Sequence, residues 1–195
     1  MSFSRLLLVA ANSKKQIRGV KGDRIVVNPR RSLADGSRDP YEGEVVLCFE
    51  IDDPRDKEKK VCRGLGIQEN DKKCDGIIFY SQDDWEHRVI CLVEMKSTQI
   101  KTVAEQIIST RNHIKELLRE ECGDHCSKQF QHIEWKACFY YHEASHDEVV
   151  SIQRQLRSSG FTSVTLFTTN DFDAGPFLRG EENTRELARR NRRKR

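Results

Sequence analysis

The chain has 195 residues, of which 36 % are hydrophobic and 33 % charged, with a net charge of +3. That suits one globular domain with an appended tail, and no run approaches the roughly 20 apolar residues that span a bilayer, which argues against a membrane partner. The charge is uneven: residues 1–180 carry 27 Lys/Arg against 28 Asp/Glu, whereas residues 181–195 carry seven (Arg185, Arg189, Arg190, Arg192, Arg193, Lys194, Arg195) against three Glu, so a near-neutral body ends in a basic, solvated arm.

In chain order, "RLLLVAA" (Arg5–Ala11) is too short for a signal-peptide core and lacks a cleavage site. It reads as a short strand or an N-terminal packing element. Asn12–Pro40 is polar and basic with Gly and Pro punctuation, and predicts at most one short strand, Arg24–Asn28. "EVVLCFEI" (Glu44–Ile51) is a continuous apolar run, strand or short helix, which periodicity cannot decide at that length. Asp52–Lys60 reads as a charged loop.

Beyond Lys72 the pattern sharpens. "CDGIIFYS" and "HRVICLVEMKS" are strands, and "QDDWEH" between them has turn character, so a hairpin is expected. Ser97 or Thr98 can cap a helix, because a side-chain oxygen accepts an orphan backbone N–H. Ile100, Val103, Ala104, Ile107, Ile108, Ile114, Leu117 and Leu118 then recur at three- and four-residue steps, predicting an amphipathic helix of about five turns or slightly more. "EWKACFYYH" is a third strand, and "DEVVSIQRQLRSSG" is a second helix closed by Gly160 as a left-handed cap. "TSVTLFTT" is a last strand, after which Pro176 and Gly180 are expected to end the order. The string β-β-α-β-α-β predicts an α/β domain with a mixed sheet covered on at least one face. The domain is taken as residues 1–180, with its core at about 72–169 and the tail at 181–195.

Seven cysteines, an odd number mostly in or beside apolar runs, fit a reducing compartment and therefore the cytoplasm. Cys122, His125, Cys126 and His132 lie close together, but structural zinc sites usually open with a tighter Cys-x-x-Cys pair, so a polar helix end is expected there.

The hairpin carries charges where a buried strand should not. Alternation puts Ile90, Leu92, Glu94 and Lys96 on one face of their strand, and Asp75 on one face with Ile77 and Phe79. Antiparallel pairing would bring Asp75 near Glu94. Partly buried ions cost several kcal/mol each unless compensated. Mg²⁺ offsets that by taking one or two carboxylates and keeping water for its other positions. The Met95 carbonyl is a further candidate ligand, and Lys96 would face the attacking water.

Asp75, then eighteen residues, then Glu94-Met95-Lys96, then a helix, resembles the core of the PD-(D/E)xK nuclease superfamily. The resemblance covers roughly Lys72–Thr169. It implies a restriction-endonuclease-like mixed β-sheet flanked by helices, with Mg²⁺- or Mn²⁺-dependent hydrolysis of nucleic acid, DNA ahead of RNA. By the resemblance Asp75 and Glu94 bind metal with Met95, Lys96 is catalytic, and Gln106, ten residues after Lys96, matches a glutamine that some RecB-like members carry. Many members add an upstream acid; Glu44 ranks first here, followed by Glu69, with Glu42 and Glu50 behind. Cys74 stands where proline is usual. Such proteins include restriction and phage-defence enzymes, and a subunit of a defence or repair complex with an ATPase partner is one expectation.

Glu58-Lys59-Lys60 and Glu134-Trp135-Lys136 repeat the Glu-x-Lys spacing without the hairpin aspartate. The bland alternative for Glu94-Met95-Lys96 is an edge hairpin with a solvated ion pair, worth little. The functional alternative is a catalytically silent nuclease-like binding or structural subunit. Trp85 and Trp135 are expected in turn or core packing ahead of base stacking.

Overall fold

Five strands form the central sheet of the computed structural model, which describes residues 16–18, 24–28, 44–51, 53, 56–82, 87–96, 100–130, 132–168 and 171–181, with side chains at all of these except 16, 18, 121–130 and 171. The sheet runs β3 (Glu44–Glu50), β4 (Gly76–Gln82), β5 (His87–Met95), β6 (Ile133–Tyr140), β7 (Ser163–Phe167) in that spatial order. β3–β4 and β4–β5 are antiparallel, and β5–β6 and β6–β7 are parallel. The expected mixed α/β sheet is therefore present, and "EVVLCFE" is strand. Asp83–Glu86, including Trp85, lie outside the described residues, as do Arg5–Ala11 and Glu42.

The parallel pairs need crossover connections, and helices supply them. A 3₁₀ turn (Ile100–Thr102) leads into α2 (Val103–Phe130) between β5 and β6, and α3 (His146–Ser158) joins β6 to β7. A short α1 (Lys60–Gly64) precedes β4. These helices cover one sheet face, where Val61, Ile107, Ile114, Ile152 and Leu156 pack with Phe49, Ile77, Leu92 and Phe139. α3 starts at a capping box: Ser145 Oγ accepts from Glu148 N, and the Glu148 carboxylate accepts from Ser145 N. It closes at Gly160 with φ +93°, as the sequence predicts.

The other face is covered as well. A small sheet of β1 (Gln16–Arg18), β2 (Arg24–Val26) and β8 (Asp171–Asp173), followed by α4 (Gly175–Leu178), packs there. Ile17, Ile25, Phe177 and Leu178 meet Ile78, Cys91, Val93 and Cys138. Burial on both faces explains why β5 reads as unbroken apolar sequence. Ile17 presses so close to β4 that a Cβ at Gly76 would lie 2.7 Å from its Cδ1.

Three expectations need revision. α2 spans 28 residues, about eight turns, where five or slightly more are expected. The apolar stripe ends at Leu118 and Gly123 offers a stop, but no proline follows before Phe130 and the helix runs through the glycine, at a cost of about 1 kcal/mol. Cys122, His125 and Cys126 sit within it, with side chains outside the described residues. The segment 12–40 holds a second strand, β1, whose pairing with β2 is a tertiary effect that short-range pattern cannot reveal. Pro176 does not end the order; it occupies the first turn of α4, where its missing N–H has no helical partner to lose.

Candidate functional site

The β4–β5 register pairs Gly76 with Val93, so the next rung joins Asp75 and Glu94. Their side chains complete that rung. Asp75 N donates to Glu94 Oε2 at 3.1 Å, and Met95 N donates to Asp75 Oδ2 at 2.6 Å. Backbone hydrogen bonding holds the surrounding turn: Ile51 N donates to Asp75 O at 2.8 Å, and Lys96 N donates to Tyr140 O at 3.0 Å. The antiparallel pairing thus brings Asp75, Glu94 and Lys96 together as the sequence predicts. The hairpin is not an edge, since β3 and β6 flank it, and this removes the solvated-edge alternative.

Burial sets the electrostatics. Glu94 is 0 % exposed. That desolvation, followed by the adjacent Asp75 charge, pushes its carboxyl from 4.5 up to about 8, against the opposing pull of Lys96 and the Asp75 N–H. Lys96 Nζ lies 2.8 Å from Glu94 Oε1, an ion-pair distance, yet that oxygen receives no well-directed hydrogen bond. At that distance the ammonium both attracts the carboxylate and pulls its pKa down, so Lys96 offsets part of the buried charge. The Lys96 side chain is 29 % exposed, so the ammonium bridges the buried carboxylate and solvent. The neighbouring Cys74 thiol is also raised, by burial first and then by Glu94.

Among the described residues, no group of three or more His, Cys, Asp or Glu is placed to hold a metal. The donor set is the two carboxylates of Asp75 and Glu94. It fits a hard ion that keeps much of its water, as Mg²⁺ or Mn²⁺ does, and lacks the thiolates and imidazoles of a structural zinc site.

Glu44 does not join this set. It pairs with Gln82 at the opposite end of β3, whereas Glu50 pairs with Gly76. Six strand steps put Glu44 about 20 Å from the Asp75 end. Its carboxylate instead accepts from Tyr80 Oη at 2.8 Å and lies 3.6 Å from Arg179 Nη1. An apolar run following an acid is equally what a strand-end structural contact looks like, and register alone separates the two. Glu69 is exposed in the turn before Lys73, its backbone carbonyl accepting from Lys73 Nζ. Glu50 is buried at the near end of β3, but alternation turns it to the face opposite Ile51 and Phe49.

Gln106 lies on the face of α2 toward the β4 entry, but it contacts neither carboxylate. Its Nε2 donates to Lys73 O at 2.9 Å and its Oε1 accepts from Thr102 Oγ1 at 3.0 Å. Thr110, one turn on, was not singled out by sequence reasoning. It is 0 % exposed and accepts from Cys74 N at 2.9 Å. The available signal was a hydroxyl on the apolar stripe between Ile107 and Ile114.

The second Glu-x-Lys motif of the strands is structural. Lys136, 3 % exposed, donates to Phe177 O and Leu178 O at the end of α4, and Glu134 meets His87 at 3.1 Å. Trp135 is buried beneath the Arg111 guanidinium, 5.2 Å from its ring centre, so it is core and not a base-stacking platform. A groove of about 560 Å³ lies along the outer face of α2, lined by Lys101, Glu105, Asn112 and Gln155 among others; the carboxylate pair does not open into it.

No model of a protein family matches the chain, and neither the curated proteins nor the solved structures provide a match. Among the described residues no helix is long and apolar enough to cross a membrane.

Proposed function

We propose that the chain is a divalent-metal-dependent nuclease of the PD-(D/E)xK kind, hydrolysing phosphodiester bonds of DNA ahead of RNA on a restriction-endonuclease-like core. The strand order supports the fold part of this reading: three antiparallel strands, then a parallel fourth reached through a long helix. One observation carries the functional part. Glu94 is a fully buried carboxylate beside a second carboxylate, with the Lys96 ammonium 2.8 Å from one of its oxygens. Ionising both carboxylates there costs several kcal/mol, of which the Lys96 ammonium offsets only a part. A small hard cation is the compensation that suits this donor set.

Asp75 and Glu94 would hold the ion, with the Met95 carbonyl as a further donor. The ion supplies Lewis-acid stabilisation of charge at phosphorus. Lys96 carries a second positive charge to the same place. Its ammonium orients the attacking water and neutralises charge that develops on the phosphoryl oxygens, a contribution that is largest where water is excluded. Glu94 keeps that ammonium in place through the 2.8 Å contact. The basic segment Arg185–Arg195 supplies phosphate attraction that the near-neutral body lacks. The same chemistry suits a subunit of a defence or repair complex working with an ATPase.

The test is cleavage of labelled duplex DNA, single-stranded DNA and RNA by the purified chain with Mg²⁺ or Mn²⁺, and with EDTA. Metal-dependent cutting of any of them that EDTA abolishes is expected. A second reading has its own observation: Asp75 and Glu94 accept the Met95 and Asp75 amides and so also serve as ladder caps. A catalytically silent nuclease-like module would keep those bonds and cut nothing under any metal.

A further inference from the structure

Helix α2 grips a single peptide group from both ends. Gln106 Nε2 donates to Lys73 O at 2.9 Å, and Thr110 Oγ1 accepts from Cys74 N at 2.9 Å. That carbonyl and that amide belong to the same planar peptide unit, so holding both fixes the plane. The two gripping side chains lie four residues apart on one helix face. Each is itself held: Thr110 Oγ1 donates to Gln106 O at 2.9 Å, and Gln106 Oε1 accepts from Thr102 Oγ1.

Only the torsions of Cys74 separate this clamped unit from Asp75. The Cys74 thiol, 0 % exposed, donates to Gly76 O across Asp75, and Ile51 N anchors Asp75 O from the β3 side. Asp75 therefore sits between two fixed points, with its carboxylate delivered to Met95 N. A hydroxyl in an apolar helix stripe is otherwise a poor choice, because bonding back to the carbonyl four residues earlier slightly destabilises and bends a helix. A valine of the same shape would pack as well.

We propose that Thr110 and Gln106 are positioning residues for Asp75, acting through the Lys73–Cys74 peptide to set the spacing of the Asp75–Glu94 carboxylate pair and, with it, the pair's affinity for a divalent cation. The metal part of this statement rests on the nuclease reading; the positional part does not. Gln106, expected from the resemblance to point at the chemistry, acts one step behind it.

The experiment uses the full chain with Thr110→Val, Thr110→Ser and Gln106→Ala. Amide hydrogen exchange of the metal-free proteins is read at Met95, whose N–H reports the Asp75 carboxylate. Lys96, whose N–H bonds to Tyr140 O, is the control in the same strand segment. Thr110→Val and Gln106→Ala should speed Met95 exchange by about tenfold relative to Lys96, while Thr110→Ser stays near wild type, as expected for local opening and not global loss. Met95 and Lys96 moving together, or neither moving, overturns the proposal. Should Thr110→Val not fold, Gln106→Ala decides alone, since Gln106 is only partly buried. Mn²⁺ affinity, read by electron paramagnetic resonance on the same proteins, should weaken by about tenfold in the two disruptive variants and recover in Thr110→Ser. Wild type that takes up no Mn²⁺ while Met95 still responds would remove the nuclease reading and leave the positional role standing. Equal Mn²⁺ affinity in all four proteins with unchanged Met95 exchange removes the positional role alone.

Discussion

Asp75 and Glu94 close a strand-ladder rung with their carboxylates: Glu94 Oε2 accepts the Asp75 N–H, and Asp75 Oδ2 accepts the N–H of Met95, the residue after Glu94. The arrangement holds a fully buried acid beside a partly buried one, where charging both is costly even with the Lys96 ammonium 2.8 Å from Glu94.

The first consequence is a pH dependence of stability. Glu94 titrates at 4.5 in the unfolded chain and at about 8 when folded. Between these values the folded state keeps a proton that the unfolded state has released, so raising the pH favours unfolding. The stability associated with neutral Glu94 is complete below about 4.5 and is lost as the pH rises through 8. The span corresponds to on the order of 5 kcal/mol, or roughly 10–20 °C in Tm. Thermal unfolding of the metal-free protein from pH 5 to pH 8.5 should show this decline in wild type and a clearly shallower one in Glu94→Gln. Parallel curves would remove the buried acid as its source.

Metal binding should release that proton. At pH 7 Glu94 is mostly protonated, so uptake of Mn²⁺ or Mg²⁺ should liberate close to one proton per ion, and apparent affinity should rise about tenfold per pH unit until about 8. Calorimetry in two buffers of different ionisation enthalpy measures the proton count. Ca²⁺ should bind with little turnover, its longer and looser coordination positioning water poorly. A release that does not change between pH 6 and pH 9 would be inconsistent with Glu94 as a ligand.

Glu44→Gln separates the two ends of β3. The Glu44 side chain is 4 % exposed and meets Tyr80 and Arg179, far from Asp75. The variant should lose about 1–3 kcal/mol of stability through a weakened buried pair, with Mn²⁺ affinity and cleavage unchanged. A tenfold fall in metal affinity would place Glu44 back in the site.

The basic arm yields a salt-dependence prediction. Glu181 belongs to the body, because its N–H donates to Pro176 O and its carboxylate meets Arg179 Nε at 3.2 Å; truncation should therefore begin at Glu182, the first residue outside the described ones. Each phosphate neutralised on duplex DNA adds roughly 0.9 to the slope of log affinity against log salt. With three to five of the arm's cations engaged, the truncated chain should show a slope flatter by about 3 to 4. Affinity should fall for all sequences alike, since phosphate contacts do not read bases. Superimposable slopes would mean that the arm does not touch DNA.

Much of this was legible in the sequence because local pattern and global fold agree here. Alternation along Ile90, Leu92 and Glu94 and the turn at Gln82–His87 were enough to set the register that joins Asp75 to Glu94. Glu44 was misjudged because distance along a strand cannot be read without knowing which rung pairs with which. The small sheet escaped because β2 pairs in parallel with β8, about 147 residues away, where no short window can see it. The role of Thr110 was visible only as an anomaly, a hydroxyl on an apolar stripe. Its partner, the Cys74 N–H, is a backbone group with no sequence signature.

Cleavage of supercoiled plasmid by the full chain at pH 8.5 with Mn²⁺, comparing wild type with Asp75→Ala, Glu94→Gln and Lys96→Ala, tests the central claim most directly. Wild type should nick and linearise the plasmid, EDTA should stop it, and each variant should be slower by about 10²-fold or more while remaining folded. Lys96→Ala should in addition drive the Glu94 carboxyl still further up, since the ammonium is what pulls it down. Wild-type-like cutting by Glu94→Gln, or wild type that binds Mn²⁺ and leaves every plasmid intact, would contradict the account.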